Sequence, residues 1–548
     1  MQLIHTLALI FITASIISLL FEQLNHPIIP AYILTGIIIG SQIPEEQLLN
    51  ASQIGISFLI FVFGIKTDFT RLKTVYKESI STAAIQLTLL SAAGFVFAQG
   101  LGINLYNSII ISAAAAFSSS LIGLELIQSE IKLDIIHGRL AETIQLIQDL
   151  VALLLIGLLG IQLTPTNTAL KLGSLAAILG SALFVRYFLF DKIAYKIGES
   201  RELLTLSSIS LLTVFLGISQ SLNISIVIGA FAAGLAVAKF PENLEILDTM
   251  SSFKDFFSAL FFVSLGALLS IPSSTALTIT IFLLAATLLV KPVITGLSLM
   301  ISGYDKRTSY LAGFSLDQIS EFSLIIVIQA FIAGAITSEV FHGVILAATV
   351  SMILSSYTSR YEEEIYSTIT KISLVEATAQ KIQQKSSKPD KLEEHAVILG
   401  YDTEGELIAE KLEEIGEEFV LIENDPDKIE KASKEDYNYI FGDAMDSETW
   451  EKAQVDKASI IVSTAPFRYI SEQVLGLETD ATIILRSETV EEASYLLEEG
   501  ADYVSVPDLM AAEELIDHIK AGEADPSYRD ELRRRNLLEV RKKLQDND

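Results

Sequence analysis

Apolar runs long enough to cross a lipid bilayer follow one another through the first 360 residues of this 548-residue chain. A helix rises 1.5 Å per residue, so about 20 apolar residues span roughly 30 Å of hydrocarbon. Polar, glycine and proline joints divide the runs into thirteen candidate spans: 3–21, 27–42, 51–65, 80–99, 107–127, 140–161, 171–190, 203–221, 224–238, 256–271, 276–302, 308–333 and 339–358. We interpret the first as a span rather than a cleaved leader, because it lacks a basic start and a small-residue cleavage site. The sequence therefore predicts a polytopic α-helical membrane domain.

Charge separates this domain from the rest of the chain. Residues 1–360 carry 17 basic and 21 acidic side chains, whereas residues 361–548 carry 21 and 46. We predict a transmembrane domain at 1–360, a linker at 361–394, a nucleotide-binding domain at 395–511 and a charged helical tail at 512–548. The acidic excess argues against nucleic acid as a partner, because phosphate binding needs clustered Lys and Arg. The chain has no cysteine, which excludes disulfides and thiolate metal sites.

The basic residues also predict the orientation of the spans. With the N-terminus outside, one set of loops collects 14 of the 17 basic residues of the membrane domain. The positive-inside rule assigns these loops to the cytoplasm. Thirteen is an odd number, so the C-terminal half is predicted to be cytoplasmic too, in a multi-pass protein of the cell membrane.

Two spans carry ionisable residues near their midpoints. Gln148 and Asp149 lie in the sixth span, and Lys291 lies in the eleventh, before Pro292. Inserting a charge into the bilayer centre costs about 2.5–3.5 kcal/mol, so such residues are functional candidates by default. We predict that Asp149 binds either a cation or a proton, which is the behaviour of an exchanger. The alternative is an Asp149–Lys291 ion pair that only joins the two spans.

Two further spans are interrupted halfway. The fifth is broken by a run of serines and the twelfth by residues 315–321. These spans are seven apart and so run in opposite directions, which predicts inverted repeats whose broken helices cross at the ion site. The candidate ion-site residues in the two breaks are Ser118, Ser119, Ser120, Asp317, Gln318 and Glu321.

These polar groups suit a hard monovalent cation. The amide oxygen of Gln148, the three serine hydroxyls and freed main-chain carbonyls would complete an oxygen cage around the cation. Asp317 and Glu321 are four residues apart and would share one helix face, where they either line the cavity or satisfy half-helix ends. We predict no metal site beyond the transported cation at Asp149.

After residue 395, short β-runs alternate with helical patterns. The first run, 395–399, leads into a turn that begins at Gly400 and ends at Gly405, and the next run ends in Glu423. Strand, glycine turn, helix, strand and acid in this order are the fingerprint of a dinucleotide fold. Further β-runs at 439–441, 459–462, 482–485 and 503–506 predict a six-stranded, doubly wound, Rossmann-like α/β domain.

Asp402 replaces the middle glycine of the fingerprint G-x-G-x-x-G. A carboxylate there crowds and repels a pyrophosphate, which favours AMP or adenosine over NAD. Glu423 would accept hydrogen bonds from the ribose hydroxyls. The alternative is a nucleotide-free scaffold used for dimerisation. The candidate nucleotide contacts are Gly400, Tyr401, Asp402, Thr403, Gly405, Glu423, Asp425, Asp443 and Ala444.

These residues resemble the Kef-type potassium/proton antiporters of the cation:proton antiporter superfamily. His137-Gly138-Arg139-Leu140, followed by Gln148-Asp149, is similar to the HGRL segment and the Gln-Asp transport pair of that family. Phe117–Ser120 resembles its serine-bearing broken helix, and Phe261–Gly266 its FF-x-x-G span. Lys291-Pro292 resembles the Lys-Pro of related sodium/proton antiporters. The soluble half resembles an RCK (TrkA-N) domain.

The resemblance implies an elevator-like exchange of potassium for a proton in a homodimer, and no enzyme activity. It also implies gating by an adenine nucleotide, AMP first, with NAD(H) or ATP as alternatives. A sodium/proton antiporter of the same fold is the near alternative. A nucleotide-gated cation channel would need a carbonyl-rich filter loop, and a membrane-anchored dehydrogenase would need a substrate domain; neither pattern is found in the sequence.

Overall fold

The computed structural model describes residues 2–24, 26–67, 75–119, 136–158, 165–190, 201–222, 224–238, 242–370, 392–444, 447–465 and 467–524. The chain forms two compact units, Met1–Ile382 and Gln383–Asp548. Ser120, most of the predicted linker and the tail from residue 525 lie outside the described residues.

Helices make up most of the described part of the first unit. They are α1 Gln2–Gln23, α2 Ile28–Ile39, α3 Glu45–Lys66, α4 Tyr76–Gly100, α5 Leu105–Ala116, α6 Ile136–Leu158, α7 Pro165–Phe184, α8 Arg201–Ser221, α9 Ile226–Val237, α10 Glu242–Ala267, α11 Ser274–Ala285, α12 Lys291–Ile301, α13 Lys306–Phe314, α14 Glu321–Ile332, α15 Ser338–Arg360 and α16 Glu362–Thr370. Within the described residues, seven helices are long and apolar enough to cross a membrane.

Eleven of the thirteen predicted spans coincide with one of these helices each, and the eleventh and twelfth coincide with two each. The twelfth is broken as predicted, since α13 ends at Phe314 and α14 begins at Glu321. In the fifth, α5 ends at Ala116 and an extended segment follows; residues 120–127 lie outside the described part. The predicted start of the tenth span was wrong, because α10 begins at Glu242, fourteen residues before the predicted boundary. Residues 242–255 are polar, and hydropathy reports only the apolar part of a helix.

A π-helical turn, Ala286–Val290, joins α11 to α12, whose second residue is Pro292. Proline has no N–H to donate, so the regular helical hydrogen bond to the preceding turn is missing. The wider turn accommodates the defect without ending the helix. It also leads into Lys291, whose long side chain is fully buried.

Glycines let three helices approach closely. A Cβ added to Gly36 of α2 would lie 2.0 Å from the carbonyl oxygen of Val263 in α10, and one added to Gly266 of α10 would lie 2.0 Å from that of Ile33 in α2. A Cβ added to Gly55 of α3 would lie 2.8 Å from the carbonyl oxygen of Phe257 in α10. In lipid, helices associate through close van der Waals packing rather than the hydrophobic effect, and small residues make that packing closest.

The second unit is an α/β domain. Its elements are β1 Ala396–Leu399, α17 Thr403–Ile415, β2 Phe419–Glu423, α18 Pro426–Lys434, β3 Tyr439–Phe441, α19 Ser447–Lys452, β4 Ile460–Ser463, α20 Arg468–Leu475, β5 Thr482–Arg486, α21 Val490–Glu498, β6 Tyr503–Ser505 and α22 Pro507–Ala524. The sheet has the order β3-β2-β1-β4-β5-β6 with every pair parallel, which confirms the predicted doubly wound sheet. The strand order reverses between β1 and β4, and ligands of such sheets bind at the carboxyl ends of the strands there.

Candidate functional site

The two helix breaks meet inside the membrane domain. The main-chain N–H of Ser320, in the second break, donates to the carbonyl of Phe117 in the first, with 3.3 Å between nitrogen and oxygen. The ammonium of Lys291 donates to the same Phe117 carbonyl at 3.0 Å and to the Gln318 carbonyl at 3.2 Å. Phe117 directly follows α5, whose C-terminal end carries partial negative charge. Lys291 thus places a hydrogen-bond donor where freed carbonyls concentrate.

One face of α6 holds the first break in place. The amide oxygen of Gln148 accepts from the main-chain N–H of Ser118 at 2.8 Å. The amide nitrogen of Gln145 donates to the carbonyl of Ser119 at 3.1 Å, and to that of Ser315 beside the second break at 3.4 Å. Asp149 follows Gln148 and is fully buried, as is Gln145. Gln145 and Gln148 therefore bring two amides to the crossing, and Asp149 adds a buried carboxylate next to Gln148 on α6.

A buried polar chain continues this network into α4 and α12. The amide nitrogen of Gln86 donates to the Ser118 hydroxyl at 3.4 Å, and its oxygen accepts from the Thr295 hydroxyl at 3.2 Å. The Thr295 hydroxyl also lies 2.9 Å from the carbonyl of Lys291. The chain connects the first break to the helix that supplies Lys291.

The structure corrects the prediction that Asp317 and Glu321 share one helix face. Asp317 lies in the break between α13 and α14, where its carboxylate accepts a hydrogen bond from Thr358 of α15, whereas Glu321 is the first residue of α14. Both side chains are buried. Helical spacing does not apply across a break, so the four-residue separation does not place the two carboxylates on one helix face.

Of the predicted ion-site residues, Gln148, Ser118, Ser119, Lys291 and Gln318 meet at the crossing, and Asp149 lies beside them on α6. The hydrogen bonds of Lys291 go to main-chain carbonyls rather than to the Asp149 carboxylate. Sequence reasoning missed Gln145, Gln86 and Thr295. The spacing 145, 148, 149 places three polar side chains on one face of a helix, and that signal identifies Gln145.

In the second unit, Asp402 is the N-cap residue of α17. Its carboxylate accepts from the main-chain N–H of Gly405 at 3.0 Å. Gly400 has a positive φ of 92°, and a Cβ on Gly405 would lie 2.1 Å from the carbonyl oxygen of Gly400. The outer glycines of the fingerprint therefore keep their structural roles, while the middle position has φ −85° and accepts a side chain.

Glu423, at the end of β2, is held by main-chain donors. One carboxylate oxygen accepts from Tyr401 N at 2.8 Å, and the other accepts from Asn424 N at 2.8 Å and Asp425 N at 2.9 Å. The carboxylate thus ties the glycine turn to the turn after β2. Lys428 lies 3.5 Å from it.

Arg486, the last residue of β5, reaches across to the glycine turn. One terminal nitrogen lies 3.4 Å from the Asp402 carboxylate and 3.7 Å from that of Glu404, and the other lies 3.5 Å from Glu488. The first also donates to the carbonyl of Thr464, after β4, at 3.4 Å. Sequence reasoning missed Arg486 and Thr464, because only the strand order brings β4 and β5 beside β1.

Acidic groups dominate this end of the sheet. Burial raises the pKa of the Glu404 carboxyl against the opposing effect of Arg486, and the charge of Asp402 adds to the rise. Burial and neighbouring glutamates raise the pKa of the Tyr401 phenol to about 12, so that phenol stays neutral. Among the other predicted contacts, Asp425 and Asp443 are buried, Ala444 is half-buried and Thr403 is exposed.

Two family models match the chain. The model described as "Sodium/hydrogen exchanger, transmembrane" matches residues 9–360, and the model described as "TrkA-N domain" matches residues 396–507.

Individual proteins are similar over much of the chain. The protein YbaL of Escherichia coli (strain K12) is 25% identical over 571 residues, covering 95% of this chain and 98% of that one. The glutathione-regulated potassium-efflux system protein KefC of Salmonella schwarzengrund (strain CVM19633) is 24% identical over 478 residues, covering 84% and 75%. The structure of the sodium proton antiporter MjNhaP1 from Methanocaldococcus jannaschii covers 70% of this chain and 99% of its own, at 18% identity and a TM-score of 0.47.

Proposed function

Because the chain belongs to the sodium/hydrogen exchanger family and carries a TrkA-N domain, we propose that it exchanges potassium for protons at Asp149. The observation that carries the proposal is the full burial of this carboxylate, on the face of α6 that binds both helix breaks. A single buried carboxylate has one charge to exchange, so cation and proton compete for it. The exchange is then electroneutral.

Uncompensated oxygens near the crossing support a cation site. Within the described residues, the buried side-chain oxygens of Gln145 and Gln318 have no hydrogen-bond donor. A buried acceptor without a donor is costly, and a desolvated monovalent cation supplies the missing positive charge. Together with Asp149 and the hydroxyls of Ser118 and Ser119, these oxygens have the hard-ligand chemistry that such a cation requires.

Potassium is preferred to sodium because the name of the Salmonella relative is that of a potassium-efflux protein. The sodium/proton antiporter remains the second candidate, favoured by the family description. The two are separated by comparing proton flux driven by potassium and sodium gradients in the same vesicles.

Regulation is assigned to the second unit. We propose that the TrkA-N domain binds an adenine nucleotide, AMP in preference to NAD(H) or ATP, at Gly400–Gly405, Glu423, Asp425 and Asp443–Ala444. The supporting observation is that this turn lies at the carboxyl edge of the sheet, where the strand order reverses. We further propose a homodimer in the cell membrane, with the N-terminus outside and residues 395–511 in the cytoplasm.

Asp149→Asn tests the exchange site. The variant keeps the shape of the side chain but has no proton to trade, so we expect potassium-dependent proton movement in proteoliposomes to disappear. A pH-sensitive dye trapped in the vesicles measures the movement, with AMP, ATP and NADH each added in turn.

Asp255→Asn is the matched control, because Asp255 is an exposed carboxylate of α10 beside Lys254. Its exchange rate should equal that of the unmodified protein. Wild-type exchange by Asp149→Asn would remove this residue from the mechanism. A rate that depends on an imposed membrane potential would contradict the electroneutral exchange.

A further inference from the structure

The phosphate-binding position of the nucleotide domain contains a carboxylate from the protein itself. In Rossmann folds a pyrophosphate binds at the N-terminus of the helix after β1, where main-chain N–H groups point at it. Here the carboxylate of Asp402 accepts from one of those groups, Gly405 N, at 3.0 Å. A phosphate oxygen at that position would have to displace the carboxylate.

The nearest positive charge is already balanced. Arg486 lies within 4 Å of three carboxylates, those of Asp402, Glu404 and Glu488, and it also donates to the Thr464 carbonyl. An arriving phosphate therefore meets an arginine whose charge is compensated. Each negative charge that the ligand adds raises the repulsion.

The sugar end of the site does not carry this obstacle. Each oxygen of the Glu423 carboxylate accepts main-chain hydrogen bonds, and a carboxylate offers about four acceptor positions in all. The fourth lies toward Lys428, whose ammonium is 3.5 Å away, so a ribose hydroxyl would share that position with the lysine. The outer glycines keep the backbone conformation of the fingerprint. The substitution by Asp402 therefore alters only the phosphate-binding position at the start of α17.

We propose that Asp402 is the specificity-determining residue that rejects diphosphate-bearing ligands, so that the domain takes adenosine or AMP and excludes ADP, ATP and NAD(H). The proposal rests on the adenine-nucleotide site proposed above. AMP brings a single 5′-phosphate, which is free to turn toward solvent. ADP and ATP carry more negative charge on the same side of the ribose, and the pyrophosphate of NAD(H) is fixed at both ends. Each of these ligands therefore meets more repulsion from the Asp402 carboxylate than AMP does.

The test measures binding of adenosine, AMP, ADP and NAD to the full-length protein in detergent by calorimetry. Asp402→Asn keeps the side-chain acceptor for Gly405 N but loses the charge, whereas Asp402→Gly restores the fingerprint. Both variants should bind ADP and NAD at least about tenfold more tightly, since a like charge a few ångströms away is removed. Their affinity for adenosine should stay within about twofold of the unmodified value.

Glu414→Gln is the matched control. Glu414 is an exposed carboxylate in the last turn of α17, at the opposite end of that helix from the glycine turn. The variant removes the same unit of charge, so the preference among the four ligands should not change. A wild-type protein that binds NAD or ADP as tightly as AMP would overturn the inference and leave nucleotide regulation standing. So would an ADP affinity that is unchanged in both Asp402 variants while AMP binds.

Two other outcomes separate the inference from the proposed regulation. If the wild-type protein binds no adenine ligand but Asp402→Gly acquires ADP or NAD binding, the role of Asp402 is supported and regulation by nucleotide fails. If neither the wild-type protein nor the Asp402 variants bind any of the four ligands, both proposals fail.

Discussion

At the scale of single residues, Lys291 has an unexpected position. Sequence reasoning placed one acid and one base at the same depth in the membrane, and an ion pair with Asp149 was the natural alternative to a transport role. The ammonium instead bridges two carbonyls that the helix breaks release. A chain with two broken helices must satisfy such carbonyls internally, because lipid offers no donor.

Lys291→Met should destabilise the membrane domain. Methionine fills a similar volume but leaves the buried Gln318 carbonyl without its lysine donor, a loss of about 1–3 kcal/mol. We expect a lower Tm for the purified protein in detergent. Size-exclusion chromatography after heating to a series of temperatures measures this Tm.

Lys254→Met provides the comparison, since Lys254 is partly exposed and lies 3.9 Å from Asp255; exposed pairs of this kind contribute about 0–1 kcal/mol. Its Tm should be close to that of the unmodified protein. An unchanged Tm for Lys291→Met would show that the ammonium is not needed to hold the crossing together.

At the scale of helices and strands, close approach decides which glycines matter. Gly36, where α2 packs against α10, has no room for a methyl group. We expect Gly36→Ala to lower the thermal stability by about 1–3 kcal/mol through overpacking, measured by the same heating assay.

Gly217→Ala makes the same chemical change in α8, where an added Cβ meets nothing within 4 Å. Alanine is the better helix former by about 1 kcal/mol, so this variant should be as stable as the parent or more so. A Gly36→Ala protein that matches Gly217→Ala would mean that α2 and α10 separate without penalty.

How much the sequence predicts also depends on the element. Local patterns identify the spans, the break at residues 315–320 and the six strands, because periodicity and serine-rich interruptions act over a few residues. The start of α10 is not predicted, since most of its first residues are polar. Contacts between distant elements are not predicted either. Gln86 reaches Ser118, and Arg486 reaches Asp402, only through the tertiary arrangement, and no short stretch of sequence contains that information.

At the scale of the whole molecule, the two units have separate hydrophobic cores, so the unfolding of each can be followed separately. The single tryptophan of the chain, Trp450, is buried in a hydrophobic cluster of the second unit. Its fluorescence should therefore follow the unfolding of the nucleotide domain.

A ligand that binds only the folded domain, at one hundred times its Kd, stabilises the folded state by about 2.7 kcal/mol. For AMP this predicts an upward shift of roughly 10 °C in the fluorescence transition.

Gly405→Ala should abolish that shift, because the added methyl group collides with the Gly400 carbonyl and distorts the turn. Gly476→Ala, where an added Cβ comes no closer than 3.4 Å to its neighbours, should retain it. A shift of equal size in both variants would place AMP elsewhere than the glycine turn.

The hydrogen bonds at the helix crossing have a mechanical consequence. Lys291, Ser320 and Gln145 fasten both breaks to α6 and α12, so none of these segments shifts relative to the others without losing a buried bond. Under the exchange proposed at Asp149, any movement of the ion site displaces these segments as a single block. In any such movement, the contacts that yield are those between this block and the neighbouring helices and lipid, not the hydrogen bonds within the crossing.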